Sequence, residues 1–141
     1  MLEGELRRTL SENFNRCWMS YHSTKGFIEK VSWTKKMIAI LLAGLRTLGP
    51  GEHATLSRKA AITKLNKIRD SLNILTMRAI SEGALTKADR MAIELLNLDN
   101  VVDEVLELYI LTGFAVAKLP YEDAFELIEP SRRPVNYTNK Q

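Results

Sequence analysis

Asp99, Asp103, Glu104 and Glu107 recur at helical spacing in the second half of the chain. Paired carboxylates can divide acid and base work between them. A row of this kind on a charged segment reads instead as a solvated helix face. The one cysteine, Cys17, stands beside Trp18 near an apolar stripe. No low-pKa surroundings are legible around it, so it reads as a buried, inert thiol rather than a nucleophile. Helical bundles hold metals with Glu-x-x-His pairs. Here Met19 stands where His22 would need its glutamate, and His53 lies beside Gly49-Pro50-Gly51. One cysteine and two histidines also exclude a four-ligand Cys/His zinc site. No phosphate loop, dinucleotide fingerprint or nucleophile elbow is present. Trp18 and Trp33 read as core or interface anchors. The chain is therefore expected to carry no catalytic residue, metal or cofactor.

Charge is more informative. Residues 1–70 hold 13 Lys/Arg against 6 Asp/Glu, a net +7, whereas residues 71–141 hold 7 against 11, a net −4. The positive half has a focus in Arg58, Lys59, Lys64, Lys67 and Arg69, with Lys35 and Lys36 on the preceding segment. If those two segments pack as an antiparallel pair, both groups can share a face. Such a face concentrates anions and can hold phosphates. The plainer alternative is a solvated face, or pairing of the basic half with the acidic half within a fold or across a dimer. The acidic second half argues against a duplex-DNA binder.

Four helical segments must position these groups. The 141 residues are enough for one domain, and a composition 45% hydrophobic and 26% charged excludes a disordered chain. Leu2, Leu6, Leu10, Phe14, Trp18 and Tyr21 form a first apolar stripe at steps of three or four. Gly26 suits a helix C-cap after it, although fusion of the first two segments through Gly26 is the alternative. A second stripe runs from Phe27 through Val31, Ile38, Leu41, Leu42 and Leu45 to Leu48, and Gly49-Pro50-Gly51 stops it. A third starts near Thr55 or Ser57, carries Ala61, Leu65, Ile68, Leu72, Leu75 and Ala79, and closes at Gly83. Thr86 is the expected N-cap of the fourth, with Asp89 in its first turn. Its stripe is Met91, Leu95, Leu98, Val102, Val105, Tyr109 and Phe114, and Pro120 marks the end.

Residues Tyr121 to Ile128 have the spacing of a short amphipathic helix, and the sequence beyond Glu129 has two prolines and no period. The expectation is an all-α, antiparallel bundle of about four helices over residues 1–119, followed by a short helix and flexible tail over 120–141. The apolar stripes are wide, so a homo-oligomer is expected. The first twenty residues show no apolar leader. The apolar run from Val101 to Leu119 is broken by Asp103, Glu104, Glu107 and Lys118. No membrane span and a cytoplasmic location (host cytoplasm, if the gene is viral) are expected.

Two resemblances sharpen the functional expectation. Tyr21-His22, Gly26, Pro50 and Ala61-Ile62-Thr63-Lys64-Leu65, over residues 21–79, resemble the helical hairpin of small phage proteins that sequester the cyclic nucleotide signals of the CBASS defence system. That likeness implies an oligomer binding cyclic oligonucleotides without cleaving them, and evasion of host defence. It makes Tyr21, Lys25, Lys64 and Lys67 candidates for base stacking and phosphate contact, and Arg58 belongs to the same basic focus. Separately, His22-Ser23-Thr24-Lys25-Gly26 resembles the His-x-x-Lys-Gly motif of histidine phosphotransfer domains. This implies His22 as phosphoacceptor and Lys25 as its charge partner. The leading expectation is a non-enzymatic binder of an anionic, nucleotide-type ligand, acting by sequestration or as an adaptor. The alternatives are a helical module that docks a host protein through Trp18, Trp33 and the acidic fourth segment, and phosphotransfer through His22.

Overall fold

The four apolar stripes fold as four helices. The computed structural model describes residues 2–81 and 86–115. Helix α1 spans Leu2–Ser23, α2 Phe27–Thr47, α3 Arg58–Ile80 and α4 Lys87–Leu111. No strand occurs among the described residues. Ser57 and Thr86 cap α3 and α4: their hydroxyls accept from Ala60 N and Asp89 N, each at 3.1 Å. A side-chain oxygen at this position satisfies one of the backbone donors a helix start leaves open. Gly49, at φ +78, turns the chain out of α2, and Gly49 N donates back to Gly44 O at 3.0 Å.

Consecutive helices run antiparallel, and α2 also touches α4 across the bundle. The two hairpins, α1 with α2 and α3 with α4, are the most closely packed pairs. One continuous core fills the centre, with Phe14, Trp18, Tyr21, Met37, Leu41, Leu45, Leu65, Leu72, Leu98, Val102 and Tyr109 fully enclosed. Phe14 stacks on Tyr109 with ring centroids 4.0 Å apart, which joins α1 to α4. Each such side chain contributes roughly 1.5–3 kcal/mol by leaving water.

Three boundary expectations need correction. Gly26 does not cap α1. It is the N-cap of α2, with φ −73° and ψ 141°, and an extended backbone at this point separates the two helices rather than fusing them. Helix α4 ends at Leu111, well before Pro120. Thr112 turns its hydroxyl back onto Leu108 O at 2.7 Å, and Gly113 takes φ +76. The first stripe is covered only from Leu10 onward: Leu2 is 68% exposed and Leu6 47%. Arg7 already stands level with the end of α2, donating to Leu48 O and Gly49 O at 2.9 and 3.1 Å. The start of α1 therefore runs past the helix it packs on. Gly83, Pro120, the helix expected over residues 121–128 and the tail after it lie outside the described residues, as does the domain boundary placed at residue 119.

The α2–α3 connector is locked to the end of α4. Gly51 N donates to Thr112 O at 2.8 Å, and Thr55 N to Leu111 O at 2.9 Å. The backbones touch at Gly51 and Gly113: a Cβ on Gly51 would lie 2.2 Å from Gly113 O. Phe114 then turns inward against Gly44, whose missing side chain leaves room for it and for Leu10.

Candidate basic groove

Each of the three seams between consecutive helices forms a groove, and the three differ in charge. Between α2 and α3, a groove of about 430 Å³ is lined by Lys35, Ile38, Ala39, Leu42, Ala43, Arg46, Arg69 and Asn73. Helical spacing puts Lys35, Ala39, Leu42 and Arg46 on one side of α2, and Arg69 with Asn73 on the facing side of α3. Ile38 and Leu42 are buried and form an apolar floor. Lys35, Arg46 and Arg69 are exposed along the rim. Arg69 is steadied by a hydrogen bond from its Nη2 to Asn66 Oδ1 at 2.9 Å. Among the described residues, no carboxylate lines this groove.

Between α3 and α4, a groove of about 360 Å³ sets Lys64 and Lys67 with Glu104 and Glu107, over Ile68, Leu108 and Leu111. Its charges offset one another. Between α1 and α2, a groove of about 250 Å³ is lined by Leu6, Thr9, Leu10, Asn13, Ile40, Ala43, Gly44, Thr47 and Leu48, none of them charged.

The residues singled out from sequence do not converge. Tyr21 is enclosed in the core, its hydroxyl donates to Asp99 Oδ1 at 2.6 Å, and Lys30 Nζ sits 4.1 Å above its ring. Its ring is therefore inside the bundle rather than on a surface a base could reach. Lys25 is exposed in the turn after α1, while Arg58 lies at the opposite end of the bundle, beside Gly49. Lys64 and Lys67 come together, but beside carboxylates. His22 is half-buried, edge-on to Trp18 and Tyr21, and its Nε2 is shut away from solvent. A phosphoacceptor nitrogen has to meet its donor, so this geometry gives the phosphotransfer motif no exposed Nε2.

The acidic row on α4 is not a single solvated face. Asp99 and Asp103 are half-buried, with Asp99 on Tyr21, while Glu104 and Glu107 are exposed on the α3 side. Trp18 is fully buried, which leaves half-buried Trp33, under Lys36 at 4.4 Å, as the tryptophan nearer the surface. Cys17 is buried as expected, and burial pushes its thiol pKa up against the pull of Lys36 and Arg16. No cluster of three or more His, Cys, Asp or Glu that could hold a metal occurs among the described residues. No helix there is long and apolar enough to cross a membrane.

Sequence reasoning placed Lys35 and Arg69 in the basic focus and allowed the second and third segments to share that face. It missed Arg46 and Asn73. The signal was present: Lys35 and Arg46 are eleven residues apart, three turns on one side of a helix. No protein-family model, curated protein or solved structure matches the chain.

Proposed function

We propose that the protein is a non-enzymatic helical binder that takes an anionic, nucleotide-type ligand in the α2–α3 groove and acts by sequestration or as an adaptor. The observation that carries this reading is the lining: Lys35, Arg46 and Arg69, with no carboxylate among the described residues, over an apolar floor. Cations alone around a cleft raise the local anion concentration. Arginine forks suit phosphate oxygens, and the floor of Ile38, Ala39 and Leu42 offers an apolar surface to a base. The volume falls in the range of small-ligand sites, roughly 300–1,000 Å³. Relative to the expectation from sequence, phosphate contact moves from Lys25, Lys64, Lys67 and Arg58 to Lys35, Arg46 and Arg69.

Titration calorimetry with a cyclic dinucleotide tests this at low salt. Wild type should bind, Lys35→Glu with Arg69→Glu should weaken binding at least tenfold, and Lys64→Glu with Lys67→Glu should leave it nearly unchanged. Equal binding by wild type and the first variant would place the site elsewhere. The absorbance ratio at 260 and 280 nm of the freshly purified protein reports any ligand carried through purification. Light scattering on the same sample gives the oligomeric state, and a homo-oligomer is part of this reading.

A second reading, a helical module that docks a host protein, draws on the exposed apolar side chains Ile74, Met77 and Ile80 on α3 with Ile93 and Leu96 on α4. Apolar residues grouped on a surface often mark a partner site. Loss of a captured partner on Ile74→Ser with Met77→Ser, with nucleotide binding absent throughout, would favour it.

A further inference from the structure

We propose that the outer face of α3, centred on Ile74, docks on the same face of a second copy of the chain. The second half of α3 and the first half of α4 are apolar on the outside. Ile74 and Met77 on α3, with Ile93 and Leu96 on α4, are 47–69% exposed. Apolar side chains left in water together mark a contact surface. The two helices are tied at this level, because Arg78 holds Glu94 through Nε and Nη2 at 2.9 and 3.1 Å.

Charge says what covers the face. Asp70, Ile74 and Arg78 follow one another at steps of four, so they run along one side of α3 over about 12 Å. All three are exposed. The order is negative, apolar, positive, which complements itself when a second α3 is laid across it antiparallel. Ile74 then meets Ile74 of the second copy on a two-fold axis. Asp70 meets Arg78 of the second copy, and Arg78 meets its Asp70. A parallel arrangement would set like charges on each other. A self-complementary patch is what an isologous dimer requires. Lys67 and Ser81, each seven residues from Ile74, also come together across the axis, and that pairing brings no repulsion.

Both charges are available. Asp70 has no ion pair among the described residues. Arg78 spends Nε and Nη2 on Glu94, which fixes the plane of the guanidinium and leaves Nη1 without a hydrogen bond among the described residues. A guanidinium held in this way takes a second carboxylate with little further loss of side-chain freedom.

The face is separate from the α2–α3 groove. Arg69 and Arg78 are nine residues apart, two and a half turns, and so look away from each other across α3. The dimer leaves the groove open, and this inference does not rest on the ligand read into it.

The test begins with light scattering of the full chain over a dilution series, where a dimer is expected. Asp70→Arg should raise its dissociation constant at least tenfold, whereas a reversal at exposed Glu52 of the α2–α3 connector, Glu52→Arg, should leave it unchanged. Arg78→Glu should also weaken self-association. An equimolar mixture of the Asp70→Arg and Arg78→Glu chains should regain the dimer, since one pair is then native and the other has its signs exchanged. Circular dichroism checks the helix content of each variant. Should Arg78→Glu fail to fold, Ile74→Cys decides. A residue on the two-fold axis meets its own copy, so the new thiols should join as a disulfide on mild oxidation, and those of Ile28→Cys, exposed on α2, should not. Peptide mapping verifies that buried Cys17 takes no part.

A monomer at every concentration would overturn the proposal and leave the face to a different protein. A dimer indifferent to Asp70→Arg, or one linked through Ile28→Cys and not through Ile74→Cys, would overturn it by putting the contact elsewhere. Calorimetry with a cyclic dinucleotide reports separately. Nucleotide binding by a monomer keeps the functional reading and discards this one, and a charge-sensitive dimer that binds no nucleotide does the reverse.

Discussion

Tyr109 concentrates what a single residue does in this core. Its ring stacks on Phe14, and its hydroxyl is hydrogen-bonded to the Ser11 hydroxyl and accepts from Asn15 Nδ2 at 3.2 Å. Burial pushes its pKa up to about 12, against the opposing pull of the Ser11 and Asn15 bonds. The unfolded tyrosine ionises near 10, so the folded state binds the proton more tightly. The resulting stabilisation is complete below pH 10 and is lost as pH rises toward 12. Tyr109→Phe should cost about 1–3 kcal/mol near neutrality by leaving Ser11 and Asn15 short of a partner, and should remove Tyr109's share of the alkaline loss. Urea unfolding of both proteins at pH 8 and pH 11 measures each effect. Glu94 works in the opposite direction. Arg78 holds its carboxyl below the usual range through bonds at 2.9 and 3.1 Å. That contribution is present above the ordinary carboxylate range and fades as pH falls through the lowered value. At this scale the basic site was only partly legible. Periodicity alone puts Lys64 and Lys67 on one flank of the Leu65-Ile68-Leu72 core line and Arg69 on the other. Which flank meets α2 and which meets α4 depends on the handedness of the bundle, and that is fixed by packing rather than by any local residue pattern.

Among the elements, α2 shows how one helix end is finished by another. The last carbonyls of a helix have no partner within it and carry its negative pole. Arg7, from the start of α1, places its guanidinium on Leu48 O and Gly49 O and is tied to Glu3 at 2.9 Å. Arg7→Ala should cost about 1–2 kcal/mol, and Arg7→Lys should recover only part of it, because a point charge cannot reach both carbonyls as a fork does. Thermal unfolding of the three proteins is the check. Helix positions were largely legible, since Ser57, Thr86 and Gly49-Pro50-Gly51 act through local hydrogen bonds and φ values. Gly26 was assigned to the wrong helix because a glycine between two helices suits either end until its φ is known. The end of α4 was set too late because Thr112 and Gly113 stop the helix by folding its last turn back, where Pro120 offered a louder but more distant signal.

The whole molecule is two tight hairpins joined at one end. There the α2–α3 connector, the tip of α4, Phe114 and Arg7 interlock, and Gly113 stands at the point of closest approach. Gly113→Ala would need a side chain at φ +76, 3.0 Å from Ala54 N and 3.1 Å from the Gly51 Cα. The expected cost is about 1–3 kcal/mol from backbone strain alone, read by chemical denaturation, with amide exchange rising first in residues 49–57. The opposite end has no such tie between α2 and α3 among the bonds described, so the α2–α3 seam is the place for the hairpins to part.

The interlock has one more consequence. Its two long-range backbone bonds lie on either side of exposed Glu52 and His53, through Gly51 before them and Thr55 after them. A nick between Glu52 and His53 would cut the chain without freeing either piece. Each half would keep its own hairpin and its own hydrogen bond to the tip of α4. In this fold the covalent link between the hairpins is largely duplicated by contacts, so two separately made fragments already hold the instructions for finding each other.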